Sequence, residues 1–329
     1  MTFRPNIAQL DGLRAIAILA VMVFHLDIFP IGWMGVPLFF VLSGYLITDI
    51  LIYQKGRDIG SYLKRFYWRR TIRIFPLYYA YLAVNAILSL AVGLSLSGYV
   101  WFLLYLGNYR IGALAPEVPG GIIGHLWSLA IEEQFYLIWP FLLFYVRRVW
   151  VVALVALIAA PLIREWILQA TGNPYMAILT LPSCMDMLAA GALVAVVKSA
   201  KAHVAMALAG AVIIFWCFAT VPFADFALTS NWVPEAHIIY TGLGLFFAPV
   251  VANAVRLPWL DSAPLVWVGQ ISYGLYMWHL LAFVVAKRIV GAEWTGAIAG
   301  FILSFVIAAL SWYLFEKPLL KLKDRGPGA

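Results

Sequence analysis

Long apolar runs separated by short polar connections are the main pattern along this chain of 329 residues. Many of these runs approach 20 residues, the length that a helix needs to cross a lipid bilayer. The pattern therefore predicts an all-α, polytopic membrane protein with about ten transmembrane helices. The predicted spans are 12–29, 35–53, 74–95, 125–146, 149–168, 177–197, 203–222, 236–255, 270–290 and 294–315.

The connections between these runs give the expected domain organisation. Residues 54–73 are rich in Lys and Arg and are predicted to form a cytoplasmic basic loop. Residues 96–124 are predicted to form an external loop, in which Tyr99–Tyr109 is apolar but too short to span the membrane. We expect this piece to be re-entrant or interfacial. The whole chain, 1–329, is predicted to be a single integral-membrane domain.

Composition and charge support a membrane protein and set its orientation. Hydrophobic residues make up 64% of the chain and charged residues only 11%, against about 25% charged in an average soluble protein. A cytoplasmic N-terminus places 18 of the 22 Lys and Arg residues on the inner side, so both termini are predicted to be cytoplasmic. This bias accounts for the net charge of +7 without a nucleic-acid partner. Cys184 and Cys217 are predicted to be packed thiols, and no metal site is expected.

Two polar residues frame the first apolar run, "RAIAILAVMVFH". Arg14 and His25 are eleven residues apart, so a helix places them about 20° apart around its axis and about 16.5 Å apart along it. One interpretation is that Arg14 reaches lipid phosphates while His25 hydrogen-bonds a neighbouring helix. The other is that both line a cavity or pathway, as ionisable residues inside membranes usually do.

A cluster of arginines with interleaved aromatic residues occupies "YLKRFYWRRTIRIFPLYY". Arg69 and Arg73 are four residues apart and share a helical face, with Arg70 beside them. Guanidinium groups bind phosphate in a bidentate manner, so this cluster predicts an anion site for a phosphorylated cytosolic cofactor. An anionic lipid headgroup fits the same residues equally well.

The start of the fourth predicted span, "HLWSLAIEEQFYLIWP", carries a second group of polar residues. His125, Ser128 and Glu132 can share one helical face, and Glu133 follows directly. Two adjacent glutamates inside an apolar span predict that at least one faces a polar cavity, although pairing with an arginine is the structural alternative.

Two further polar residues lie in the middle of predicted spans. Ser43 precedes Gly44, and this pair of small residues predicts close helix approach. A nucleophilic role for Ser43 lacks a visible local base. His279 is interpreted as a packing histidine with satisfied hydrogen bonds.

Six stretches together resemble a known family. They are "LDGLRAIAILAVMVFH", "GVPLFFVLSGYLIT", "RRTIRIFPLYY", "HLWSLAIEEQFYLIWP", "SYGLYMWH" and "EKP", in this order from residue 10 to residue 318. They resemble the membrane acyltransferase-3 family, whose members transfer acyl and acetyl groups to cell-surface glycans. The resemblance implies a ten-helix bundle in the plasma membrane (the inner membrane of a bacterium), acetyl-CoA as donor and a sugar hydroxyl as acceptor.

The resemblance also implies roles for individual residues. Arg14 and His25 correspond to its essential pair, Arg70 and Arg73 to its Arg-x-x-Arg element, and either glutamate of the fourth span to its acidic residue. The resemblance does not give the role of each residue, and we expect His25 to act as general base or as transient acetyl carrier. The residues expected at the reacting groups are His25, His125, Glu132 and Glu133. Those expected to contact the acetyl-CoA donor are Arg14, Ser43, Arg69, Arg70 and Arg73.

Several alternatives remain open at this point. A transporter or flippase could use the same polar residues for an anionic or lipid-linked solute, although no inverted repeat with broken helices is visible. The donor could be succinyl-CoA, and the acceptor could be a lipid-linked oligosaccharide, a lipid, a peptidoglycan sugar or a small molecule. Since "EKPLLKLKDRGPGA" follows the last predicted span, we expect a stand-alone member without an SGNH-type domain. Membrane lipid is an expected partner, and the oligomeric state is left open.

Overall fold

Helices account for nearly all of the structure, a computed structural model that describes residues 7–56, 58–114, 121–221, 237–291 and 293–325. No β-strand occurs in these ranges, so the all-α prediction is confirmed. The α-helices are α1 (Ala8–Phe24), α2 (Gly35–Tyr53), α3 (Ile59–Ala91), α4 (Tyr99–Leu103), α5 (Gly107–Leu114), α6 (Trp127–Tyr145), α7 (Val149–Thr171), α8 (Pro174–Ile178), α9 (Leu181–Val196), α10 (Ala200–Thr220), α11 (Ile239–Ala252), α12 (Ala263–Gln270), α13 (Ser272–Val290), α14 (Trp294–Ser311) and α15 (Lys317–Leu320).

Six helical segments within the described ranges are long and apolar enough to cross a membrane. A seventh is obtained if α12 and α13, which meet at a bend of 70°, are counted as one broken span. The chain is therefore a multi-pass membrane protein. The first and eighth predicted spans fall on α1 and α11, which have only 17 and 14 residues. The count of ten spans and the cytoplasmic termini stay predictions.

The basic segment 54–73 differs from the predicted loop, because helix α3 begins within it at Ile59. Asp58 caps this helix by accepting a hydrogen bond of 2.9 Å from the backbone N–H of Ser61. The arginines of this segment are therefore fixed at helical spacing on the 33-residue helix α3. The first part of α3 is rich in charged residues, so it does not form an apolar run and was predicted as a loop.

The segment predicted as an external loop contains two short helices, α4 and α5. Helix α3 holds α4 through two tyrosines, since the Tyr78 hydroxyl donates to the Phe102 carbonyl at 2.6 Å and Tyr79 donates to the Leu103 carbonyl. Its re-entrant or interfacial character and its side of the membrane stay predictions, and residues 115–120 lie outside the described ranges.

Helices α2 and α9 cross with their backbones in contact. A Cβ placed on Gly44 would lie 1.9 Å from the Leu188 carbonyl oxygen, and one on Gly191 would lie 2.1 Å from the Val41 oxygen. Glycine at both crossing points permits this approach, which confirms the close packing predicted at Gly44. The crossing also carries Ser43 into the interior of the bundle.

A buried ion pair joins α7, α9 and α11 away from that crossing. Arg164 and Asp186 are 1% and 0% exposed, and Arg164 donates to Asp186 at 2.8 Å. Arg164 also donates to the backbone carbonyls of Ser183 and His237, and the Thr241 hydroxyl donates to Asp186 at 2.6 Å. The arginine within the fifth predicted span is therefore held by several hydrogen bonds to backbone carbonyls and to one carboxylate. The thiols of Cys184 and Cys217 are buried and free, as predicted.

We predict that Arg164→Met destabilises the protein strongly, because it leaves the carboxylate of Asp186 buried without its partner. Breaking a buried pair in this way costs about 3–5 kcal/mol. The double variant Arg164→Met/Asp186→Leu removes both charges and should recover much of the loss. Thermal unfolding of the detergent-solubilised proteins measures both, and a single variant as stable as the wild type would contradict the prediction.

Candidate active site

A cavity of about 110 Å³ lies between helices α1, α2, α3, α6 and α13. Polar and charged side chains from distant parts of the sequence line it, in a bundle whose interior is otherwise apolar. Its polar and charged lining residues are Arg14, Ser43, Arg70, Arg73, Ser128, Glu132, Tyr136, Ser272, Tyr273 and Tyr276. Five of the nine residues predicted from the sequence therefore meet at one place.

Helix α3 presents one face to this cavity through Arg70, Arg73 and Ile74. Their spacing of three and four residues is that of one helical stripe. The guanidinium of Arg70 lies 5.1 Å from the ring centroid of Tyr136, within the range of a cation–π interaction. Arg69 is one residue off this stripe and is not among the lining residues, so its role in binding stays a prediction.

The positive charge of the arginines is partly offset by nearby acids. Arg14 forms a hydrogen-bonded ion pair with Asp11, one turn earlier on α1. Arg73 interacts electrostatically with Asp11 and with Glu316. Because three guanidinium groups face a single cavity carboxylate, that of Glu132, the site retains attraction for an anion.

Glu316 is an interior acid for which no role was predicted, although "EKP" is one of the family-like stretches. A π-helical turn, Trp312–Glu316, ends α14 and places this carboxylate in the interior, where it is 7% exposed. Its Oε1 accepts a hydrogen bond of 2.9 Å from the Ser311 hydroxyl. Such π turns are frequent at functional sites. Its place in the family-like stretch "EKP" was the sequence signal that could have identified it.

Ser43 orients the cavity glutamate. Its hydroxyl donates to Glu132 and accepts a hydrogen bond of 3.1 Å from the Tyr136 hydroxyl. Because the Ser43 proton is already donated to Glu132, this serine positions that carboxylate and is not arranged as a nucleophile. Its assignment to donor contact stays a prediction, supported by its place in the cavity wall.

The two adjacent glutamates face different surroundings. Glu132 lines the cavity, whereas Glu133 does not. One carboxylate oxygen of Glu133 is buried without a hydrogen-bond partner, and this group interacts electrostatically with Tyr105. The structure thus distinguishes Glu132, which faces the cavity, from Glu133, which does not, whereas sequence alone offered no reason to prefer either.

Polar residues at the start of α6 and in α13 contact one another beside the cavity, and the two segments run antiparallel there. Ser128 and Tyr276 are hydrogen-bonded at 2.7 Å, and the Tyr276 hydroxyl donates to the backbone carbonyl of His125. About one turn away, His125, which precedes α6, lies next to His279 of α13, with ring centroids 5.2 Å apart. Hydrogen bonds of two cavity-wall residues, Ser128 and Tyr276, therefore connect the cavity wall to a group of histidines, none of which is itself a lining residue.

Three imidazoles form that group. Nε2 of His279 lies 3.2 Å from Nδ1 of His25, and the two ring centroids are 5.1 Å apart. His125 is 7% exposed, and both of its ring nitrogens are buried without a hydrogen-bond partner among the residues that the structure describes. The packing role expected for His279 was incomplete, because it overlooked this contact with the predicted reactive histidine.

The combined geometry is that of a membrane protein with an anion-attracting cavity joined to acid–base groups. Within the described ranges no group of three or more His, Cys, Asp or Glu residues could hold a metal ion. Arginines suited to phosphate, a buried carboxylate and an imidazole group are the parts that group transfer from a phosphorylated donor needs.

Comparison with known proteins gives the family. The model of the acyltransferase-3 family, described as an acyltransferase domain, matches residues 7–315, and the chain belongs to this family. It is 32% identical to the peptidoglycan O-acetyltransferase OatA of Listeria monocytogenes over 97% of this chain and 56% of that protein. It is 29% identical to nodulation protein 10 of Rhizobium leguminosarum, over 88% of this chain and 82% of that protein.

A similar match is found with the O-acetyltransferase OatA of Staphylococcus aureus, 25% identical over 95% of this chain and 57% of that protein. The chain thus spans little more than half the length of the two O-acetyltransferases. No solved structure matches the chain.

The different surroundings of the two glutamates generate a prediction for acyl transfer. Glu132→Gln should reduce the turnover by up to about 10²-fold, because the change disturbs the Ser43 contact and the charge balance beside Arg70. Glu133→Gln, a matched change one residue away, should have the smaller effect. Acyl transfer by equal amounts of folded protein measures this, and a larger loss in the Glu133 variant would refute the assignment.

Proposed function

We propose that this chain is a membrane O-acetyltransferase that moves an acetyl group from cytosolic acetyl-CoA to a hydroxyl of a cell-surface glycan. The observation that carries the proposal is the arginine-lined cavity, whose wall residues Ser128 and Tyr276 are hydrogen-bonded to each other and to the segment of His125, next to the His25–His279 pair. The names of the O-acetyltransferase relatives support both the reaction and a glycan acceptor.

The arginines of this cavity suit the donor. Acetyl-CoA carries phosphates at one end and the reactive thioester at the other, so it needs cationic contacts far from the chemistry. Arg70 and Arg73 would bind the phosphates, with Arg14 beside them at the cavity wall. Glu132 and Glu316 keep these guanidinium groups from repelling one another when no donor is present.

The dimensions of α1 suit the rest of the donor. This helix is regular from Ala8 to Phe24, and His25 directly follows it. The rise along it from Arg14 to His25 is about 16.5 Å, which matches an extended pantetheine arm. The thioester would then lie near His25 when the phosphates are held by the arginines.

Direct transfer accounts for the chemistry with these groups. His25 removes the proton of the sugar hydroxyl while that oxygen attacks the thioester carbon. The carbon–sulfur bond breaks, and the proton held by His25 passes to the departing sulfur of coenzyme A. His125 would contact the acceptor, since its two ring nitrogens accept and donate no hydrogen bond among the described residues.

We predict that His25→Ala and His25→Gln lower acetyl transfer by about 10²–10⁴-fold, the usual contribution of a general base. His203→Ala is the control, because the buried His203 is also hydrogen-bonded but contacts Val197 and Asn253 instead. Mass spectrometry of the acceptor glycan measures the product. Retained transfer in both His25 variants, with folding verified, would overturn the proposal.

A trapping experiment addresses the alternative in which His25 carries the acetyl group itself. Labelled acetyl-CoA incubated without acceptor should leave no label on the protein if transfer is direct. A label that maps to His25 would establish the two-step route instead.

We further predict that Arg70→Ala/Arg73→Ala weakens binding of acetyl-CoA by at least about 10-fold, since charge-assisted hydrogen bonds contribute roughly 1.5–3 kcal/mol each. Lys64→Ala changes an exposed charge elsewhere on α3 and is the control. Calorimetric titration of the purified protein gives the affinities. Unchanged affinity together with loss of co-purified anionic lipid would identify the cluster as a lipid site.

A further inference from the structure

The hydrogen bonds of His279 define where its proton lies. Its ring is fully buried, and Nδ1 lies 3.0 Å from the Leu275 carbonyl oxygen and 2.8 Å from that of Tyr276. Carbonyl oxygens only accept hydrogen bonds, so Nδ1 of His279 must carry a hydrogen. The α13 backbone therefore selects one tautomer of this histidine.

The other nitrogen of the ring then determines the state of His25. In neutral His279, Nε2 carries a lone pair and faces Nδ1 of His25 at 3.2 Å. Nδ1 of His25 is consequently the donor of this hydrogen bond. A doubly protonated His279 would bury a charge, which requires an anionic partner. Within the described ranges, neither imidazole forms an ion pair with a carboxylate.

We propose that His279 is a positioning residue that holds His25 in the Nδ1–H tautomer and leaves Nε2 as its one basic nitrogen. This inference rests on the proposed function, in which His25 reacts with the acceptor or the acetyl group. Nε2 is the ring nitrogen more distant from the backbone. The contact with His279 thus decides which atom of His25 does the chemistry, whether that atom takes a proton or an acetyl group.

The geometry also argues against a proton relay through all three histidines. His125 lies beside His279 with ring centroids 5.2 Å apart, but no hydrogen bond joins the two rings. The Nδ1 proton of His279 is directed to the carbonyls of its own helix. The hydrogen-bonded chain therefore ends at His279, and its role is orientation.

Nitrogen-15 NMR of the wild-type protein labelled at histidine tests the tautomers without reference to activity. The signals of His25 and His279 are assigned by their loss in His25→Gln and His279→Gln. At neutral pH we expect both residues to show a protonated Nδ1 and an unprotonated Nε2. A protonated Nε2 on His25, in either the neutral or the cationic form, would overturn the proposal.

Two substitutions of His279 test the consequence for turnover. Glutamine reaches the position of Nε2 with an acceptor oxygen, whereas asparagine is shorter and matches only Nδ1. We expect His279→Asn to lower kcat by on the order of 10²-fold with little change in KM for acetyl-CoA, and His279→Gln to restore a substantial part. Equal activity of the two variants, or a change confined to KM, would contradict a positioning role.

The outcomes separate this inference from the proposed function. An inactive His25→Ala protein together with a fully active His279→Asn protein would defeat the positioning role alone. Activity retained in His25→Ala would defeat the proposed function, while the tautomers measured by NMR would still decide the hydrogen bond between the two rings. His203→Ala again serves as the control for loss of a buried histidine.

Discussion

The hydrogen bond from Ser43 to Glu132 is the contact on which the site depends. It joins α2 to α6 inside the bundle, and the neighbouring glycine of α2 packs against the backbone of α9. A carboxylate in an apolar interior needs such a partner, and the facing arginines need the carboxylate. The site thus combines three features that occur together: close packing of small residues, one half-buried carboxylate and three clustered guanidinium groups.

Much of this arrangement could be predicted from the sequence, because membrane burial makes ionisable residues conspicuous. Arg14, His25 and Glu132 stood out as polar groups in apolar runs, and helical spacing placed them on usable faces. Hydropathy predicted the helical class of the fold for the same reason. It missed the start of α3, where basic residues are helical but not apolar.

The remainder depended on contacts between distant segments, which spacing along one helix does not encode. His279 lies 254 residues after His25, and neither local sequence predicts the hydrogen bond between them. Glu133 and Glu132 are equivalent in a sequence pattern and differ only in which neighbours surround them. Arg69 and Arg70 are likewise adjacent, yet a rotation of about 100° puts only the latter in the cavity wall.

The packing of aromatic rings around the histidines has a further consequence, for permeability. A polar path through a membrane protein is also a route for protons and small ions. Here the imidazole of His279 packs edge-on against Phe283, and that of His125 packs against Tyr81. These contacts place aromatic carbon directly beside the polar groups. Since an ion loses its hydration beside apolar carbon, this packing would oppose the leakage of ions along the path that the proposed reaction uses.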